Sequence, residues 1–178
     1  MKKQSSLLLI FFLLLSFSFY SCTPKTTSRW KTFNHSHFAF EYPPDWILEE
    51  DETNITIVGP EIQGYFVNVK VDFNTTISLS LEEFMDTVES QNQVELLPDF
   101  IDGGVEKIVV NNREGIQRVL QTSVTTDNTK QTLFVSLIYF VIEPSTGLVI
   151  TTECPVESFT SYKKTLEKIQ NSFQFGDQ

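Results

Sequence analysis

Two cysteines in 178 residues, Cys22 and Cys154, leave room for one disulfide at most. A small fold stapled by several bridges is therefore excluded. Histidine is equally scarce, with only His35 and His37 available as a neutral-pH base. Both lie far in sequence from Cys154, so nothing pairs that thiol with a base. Also missing are a Gly-x-Ser-x-Gly elbow, a phosphate-binding loop and a dinucleotide fingerprint. Basic residues are thin where acidic ones are dense. From Glu41 to Glu106 there are 16 acidic residues and one basic, Lys70, whereas from Lys107 onward there are seven of each. Nucleic acid is an unsuitable partner for such a chain, because neutralising phosphates needs a basic face. These absences point away from an enzyme, with no catalytic, cofactor or metal residue to assign. An envelope hydrolase or metal-dependent enzyme with a site scattered along the chain is the alternative.

What is present begins at the N-terminus. Lys2 and Lys3 precede an apolar run from Leu7 to Leu15, and a small-residue stretch ends at Ser21-Cys22. A short positive end, a core too short to anchor stably and a small residue before a cleavage point make a secretory signal. The cysteine there makes it resemble a bacterial lipoprotein signal, in which that cysteine receives the lipid, palmitate among its acyl chains. Phe19 and Tyr20 are bulkier than is usual before such a cysteine, and an ordinary signal peptide cleaved nearby is the alternative. Residues 1–21 are thus expected to be a signal peptide and Cys22 the lipid attachment site. Residues 22–31, polar and without apolar period, are expected to be a tether, and 32–178 a single domain long enough to bury a core. The expected location is a membrane surface outside the cytoplasm, in a cell envelope or on a thylakoid lumen side. Without Lys2 and Lys3 the chain carries 11 basic and 23 acidic residues, formally −12. Anionic headgroups would repel it, so membrane attachment rests on the lipid.

The body of the chain alternates strand and turn signals. Phe38, Phe40 and Tyr42 share one face of an extended segment ended by Pro43-Pro44. Trp46-Ile47-Leu48 starts another strand, and Glu49–Glu52 reads as an exposed acidic turn. Ile55–Val58 is a short strand closed by Gly59-Pro60. From Tyr65 to Phe73, Val67, Val69, Val71 and Phe73 face one way and Asn68, Lys70 and Asp72 the other, as on a partly solvated surface. Ser80-x-x-Glu83 is a capping box leading into Leu81, Phe84, Met85 and Val88, one helical stripe. Residues 95–105 read as irregular. Glu106–Val110 and Gly115–Val124 flank a hairpin turn at residues 111–114, and a second turn spans 125–129. Leu133–Ile142 is apolar throughout except at Ser136, which demands cover on both faces. Leu148–Thr152 is the last strand before a helix over Val156–Phe173, with Phe159, Tyr162, Leu166, Ile169 and Phe173 along one stripe. Sequential strands joined by tight turns imply an α+β fold: an antiparallel sheet of about six to eight strands with helices packed on both faces.

The run Phe38-x-Phe40-x-Tyr42-Pro43-x-x-Trp46, with Ile169-x-x-Ser172-Phe173 at the far end, resembles the PsbP-like family. The likeness spans roughly residues 30–176. That family includes extrinsic proteins of photosystem II, bacterial lipoproteins of the DcrB type and a eukaryotic Ran-binding import factor. The resemblance implies an α/β/α sandwich and a binding or scaffolding role without shared catalysis. It also implies a protein partner in a membrane complex, one related to photosystem II where the source is photosynthetic. The acidic excess suits a basic partner.

Three further features have plain readings. His35 and His37, with Glu41 or Asp45, would make a partial Zn²⁺ or Mn²⁺ site, though two nitrogens in an entry segment read more simply as a solvated pair. Glu49–Glu52 lacks the spacing that bends a chain around Ca²⁺. Cys154 ends an apolar strand, where burial as a small hydrophobe is the default.

Overall fold

The computed structural model describes residues 29–74, 78–126, 128–143 and 146–176. The expected signal peptide, Cys22 and most of the expected tether lie outside the described residues. In chain order the elements are β1 (Lys31–Asn34), β2 (Phe38–Tyr42), β3 (Ile47–Glu50), β4 (Asn54–Ile62) and β5 (Tyr65–Asn74). Next come α1 (Leu81–Gln91), a 3₁₀ turn (Val94–Leu96), β6 (Ile101–Val110), β7 (Arg113–Thr126), β8 (Thr129–Glu143), β9 (Thr146–Pro155), α2 (Val156–Asn171) and β10 (Gln174–Phe175).

The strands form two antiparallel sheets, one of seven in the order β3-β4-β5-β9-β8-β7-β6 and one of three in the order β1-β2-β10. The fold is α+β, as expected, but the expectation of a single sheet is corrected. β2 alternates as a strand should, yet its backbone partners are β1 and β10. Alternation reports which side chains are buried and says nothing about which strand lies alongside.

Phe38, Phe40 and Phe173 are buried together, with ring centroids 6.1 Å apart for Phe38–Phe173 and 4.8 Å for Phe40–Phe173. Val67, Val69 and Val71 of β5, Ile138 and Phe140 of β8, and Leu148 and Ile150 of β9 complete this main core with Leu166 and Ile169 of α2. A smaller cluster joins Phe84 of α1 to Tyr139 and Val149. Ser136, the one polar break in β8, is buried and accepts from Gln117 Nε2 at 2.7 Å.

Several boundaries differ from the sequence reading. Gly59-Pro60 does not close β4; the strand continues through a bulge between Val58 and Glu61. Gly59 is needed because Trp46 lies over it, and a Cβ there would come within 2.7 Å of the indole. Glu49 and Glu50 belong to β3, while the turn is made by Asp51, whose Oδ1 accepts from the backbone N–H groups of Thr53 and Asn54. The stretch read as irregular, 95–105, ends in the first half of β6, residues 101–105. The β6–β7 turn is only Asn111-Asn112, both at positive φ (46° and 66°), the two-residue geometry that asparagine favours. The tether's last residue, Lys31, is already in β1, and the preceding Trp30 packs under Lys168, whose Nζ is 3.6 Å from the ring centroid.

Candidate functional site: a groove beside the first helix

Strand register places three rows of side chains across one face of the large sheet. Asn68, Glu153, Val135 and Leu120 form one row; Lys70, Thr151, Leu137 and Arg118 the next; Asp72, Val149, Tyr139 and Ile116 the third. Each row is polar on β5 and apolar on β8, and on β7 two rows end in Leu120 and Ile116 while the middle one ends in the buried Arg118. α1 covers the apolar end, as its capping box sets its start: Ser80 Oγ accepts from the Glu83 N–H and Glu83 Oε2 accepts from the Ser80 N–H. Phe84, Thr87, Val88 and Gln91 make a wall, and the polar end is left open. The result is an open groove with a cavity volume of about 1490 Å³.

The charged groups around it engage one another. Lys70 Nζ is 2.8 Å from Asp72 Oδ1. The Tyr65 hydroxyl donates to Glu153, and Asn68 Nδ2 donates to the same oxygen at 3.2 Å. Lys130 pairs with Asp99 at 2.5 Å, and the Ser123 hydroxyl also donates to Asp99. Burial, reinforced by the Glu153 carboxylate, raises the Tyr65 phenol far above its ordinary range. Beneath α1, Tyr139 donates to Glu89 Oε1 at 3.2 Å and Arg118 Nη1 lies 3.2 Å from Glu89 Oε2. Burial raises the Glu89 carboxyl and the Arg118 charge opposes that rise. This arrangement supplies an amphipathic surface of hydroxyls, paired charges and an apolar floor, which suits binding. Among the described residues its lining contains neither histidine nor cysteine.

The residues singled out in sequence fall elsewhere, apart from Glu52 on the groove rim. His35 and His37 stand with ring centroids 5.4 Å apart, and His35 is packed on Phe38 and Phe73, each at 4.7 Å. Burial, and then the neighbouring His37, lowers the His35 pKa. Among the described residues no three His, Cys, Asp or Glu side chains converge as a metal site would require. Cys154 is fully buried in the main core and its thiol, pushed up by burial to about 11, donates to the Pro155 carbonyl at 3.4 Å. Sequence reasoning missed the groove because its lining comes from segments spread along the chain from Glu52 to Glu153. One local signal was read: Lys70 and Asp72, on the polar side of the β5 alternation, line the groove.

No family model matches the chain, and no curated relative matches it. Solved structures do. CyanoP, the cyanobacterial PsbP of Synechocystis sp. PCC 6803, superposes with a TM-score of 0.59 at 12% identity, over 88% of this chain and 98% of its own. The fold is PsbP-like. LpqN of Mycobacterium tuberculosis, described as involved in cell envelope biogenesis, has the same PsbP-like arrangement, with a TM-score of 0.60 at 11% identity over 84% and 91% of the two chains. The Ran-binding protein Mog1p of Saccharomyces cerevisiae gives 0.54 at 15% identity over 83% and 96%. At these identities the shared property is the PsbP-like fold. Among the described residues no helix is long and apolar enough to cross a membrane.

Proposed function

We propose that this protein is a non-enzymatic, membrane-anchored lipoprotein whose PsbP-like domain binds or stabilises a membrane-protein complex outside the cytoplasm. The observation that carries this reading is the signal ending in Ser21-Cys22 ahead of a polar tether. The fold neighbours support it, since they include an envelope protein and a PsbP, and the photosystem II relation applies only in a photosynthetic source. The paired charges of the groove and the buried Cys154 favour binding over covalent chemistry. The separate contacts of the two helices, α1 on Tyr139 and Val149, α2 beside Ile138, Phe140 and Ile150, support a helix on each face and thus an α/β/α sandwich.

Mass spectrometry of the mature N-terminus tests the anchor: a lipid-modified Cys22 is expected, and Cys22→Ala should release the protein from membranes. An unmodified terminus starting elsewhere rejects it. For the partner, a basic surface is expected, so association should weaken with salt as exposed charges are screened beyond about 8 Å. Reversing Glu49, Glu50 and Glu52 to Lys should slow association without unfolding the domain. Measured turnover of an envelope substrate, abolished by changing His37 or Cys154, would establish the enzymatic alternative.

A further inference from the structure

One carboxylate of the groove lacks a countercharge. The lining holds Glu52, Asp72, Asp99 and Glu153 against Lys70 and Lys130, four negative groups to two positive, formally −2. Both ammonium groups are taken, Lys70 by Asp72 at 2.8 Å and Lys130 by Asp99 at 2.5 Å. Lys70 stands opposite Thr151, one row away from Glu153. Glu52 is exposed on the rim. That leaves Glu153, which is half-buried and held by neutral donors alone. The Tyr65 hydroxyl and Asn68 Nδ2 both donate to one of its oxygens, Oε2. No lysine or arginine among the described residues pairs with it. Its neighbours across the sheet are apolar: Val135 on β8, then Leu120 on β7. Tyr65 packs on that same cluster, at whose margin Leu97, Val124 and Leu137 are only half-buried.

We infer that this end of the groove binds a small primary amine with an apolar body, its ammonium on Glu153 and its chain against the adjoining apolar cluster. The inference does not rest on a membrane partner. Charge selects a cation, because every lining ammonium is spent and a carboxylate remains. The ligand set speaks against a metal ion, since no three carboxylates, histidines or cysteines converge among the described residues. Hydrogen bonding selects the head group. A guanidinium forks onto both oxygens of a carboxylate. Here Oε2 already accepts two hydrogen bonds, which fills its lone pairs, so Oε1 is left for a single donor. An ammonium is such a donor. The floor selects the body. A lysine of a protein partner has a stem of about four carbons before its main chain begins. Its peptide groups would then lie on an apolar surface without hydrogen-bond partners, which is costly. A plain alkyl or aryl body has no such groups and gains from the area it covers.

The test titrates the full chain in phosphatidylcholine nanodiscs by calorimetry, with empty nanodiscs as the blank. At neutral pH hexylamine is protonated, and it should bind about tenfold more tightly than hexanol. It should also bind more tightly than hexylguanidinium, and about tenfold more tightly than the shorter propylamine. Glu153→Gln should remove about tenfold of the hexylamine affinity and leave that of hexanol unchanged. The amide oxygen still accepts from Tyr65 and Asn68, so the unfolding temperature should hardly move. Leu137→Ala should weaken hexylamine and hexanol alike. No heat from hexylamine above the blank, equal affinity for hexylamine and hexanol, or a Glu153→Gln chain that binds hexylamine as before overturns the inference. Tighter binding of hexylguanidinium overturns the choice of head group. Nα-acetyl-lysine methylamide binding as tightly as hexylamine would assign the site to a partner's lysine and reject the free amine.

Discussion

The two helices are secured by opposite means. α1 has strong local chemistry: a reciprocal capping box, acidic Glu82 and Glu83 in its first turn, and a hydroxyl of Thr87 returning to the Glu83 carbonyl at 2.7 Å. Yet among its residues Phe84 alone is buried, in a satellite cluster. α2 begins at Pro155 with no side-chain cap and holds Leu166 and Ile169 in the main core. Its end is tied down by long-range contacts. Glu41 N–H donates to Ser172 Oγ at 2.8 Å, and Asn111 Nδ2 donates to the carbonyls of Asn171 and Phe173. Local signals make a helix easy to foresee, whereas its weight in the fold depends on what it buries.

The difference can be broken hardest from the C-terminal side. Deleting residues 156–178 should abolish cooperative unfolding by circular dichroism, because Leu166, Ile169 and Phe173 all leave the main core. A truncated chain that still melts cooperatively would make α2 peripheral. Phe173→Ala should cost about 3–5 kcal/mol in urea unfolding, since the ring is fully buried among aromatic neighbours. Phe84→Ala should fall at the lower end, about 3 kcal/mol, with the main core intact. An equal or larger loss would erase the distinction between the helices. Ser80→Ala should cost about 1 kcal/mol through the lost cap.

The smallest effect is one of pH. The Ser80 backbone N–H, and then its hydroxyl, hold the Glu83 carboxyl below its ordinary value. A lowered carboxyl stabilises the fold above the ordinary carboxylate range and loses that contribution as pH falls through its folded value. Thermal unfolding between neutral pH and about pH 3 should therefore show a decline that Glu83→Gln slightly flattens. An unchanged slope would mean the box is formed through the Ser80 oxygen alone.

Legibility followed the same division. The β5 alternation, the capping box and the α2 stripe could be read because each rests on residues within a few positions of one another. Of β6 only residues 106–110 could be read; 101–105 could not, since Asp102-Gly103-Gly104 break the period and the side chains there are exposed, leaving no burial pattern to detect. Gly59-Pro60 reads as a stop but serves a bulge beneath Trp46, a contact set by tertiary packing. The aromatic N-terminal segment announces a strand and is silent about its separate sheet. The groove needs Tyr65, Lys70, Thr151 and Glu153 from strands that only register brings together.

The place of β1 gives the domain a mechanical character. β1 is joined to the rest by four residue pairs with β2, and Lys31, where the chain enters, sits opposite Tyr42 at the open end of that hairpin. A pull on the chain ahead of Lys31 therefore loads those pairs one after another, like a zipper, and meets the resistance of a single pair at each step. The seven-stranded sheet shares no ladder with β1, and beyond β2's backbone β1 is held by Phe33, stacked on Phe40 at 5.2 Å. The first strand thus works as a mechanical fuse, giving slack to a pull from its N-terminal side before the seven-stranded sheet is distorted.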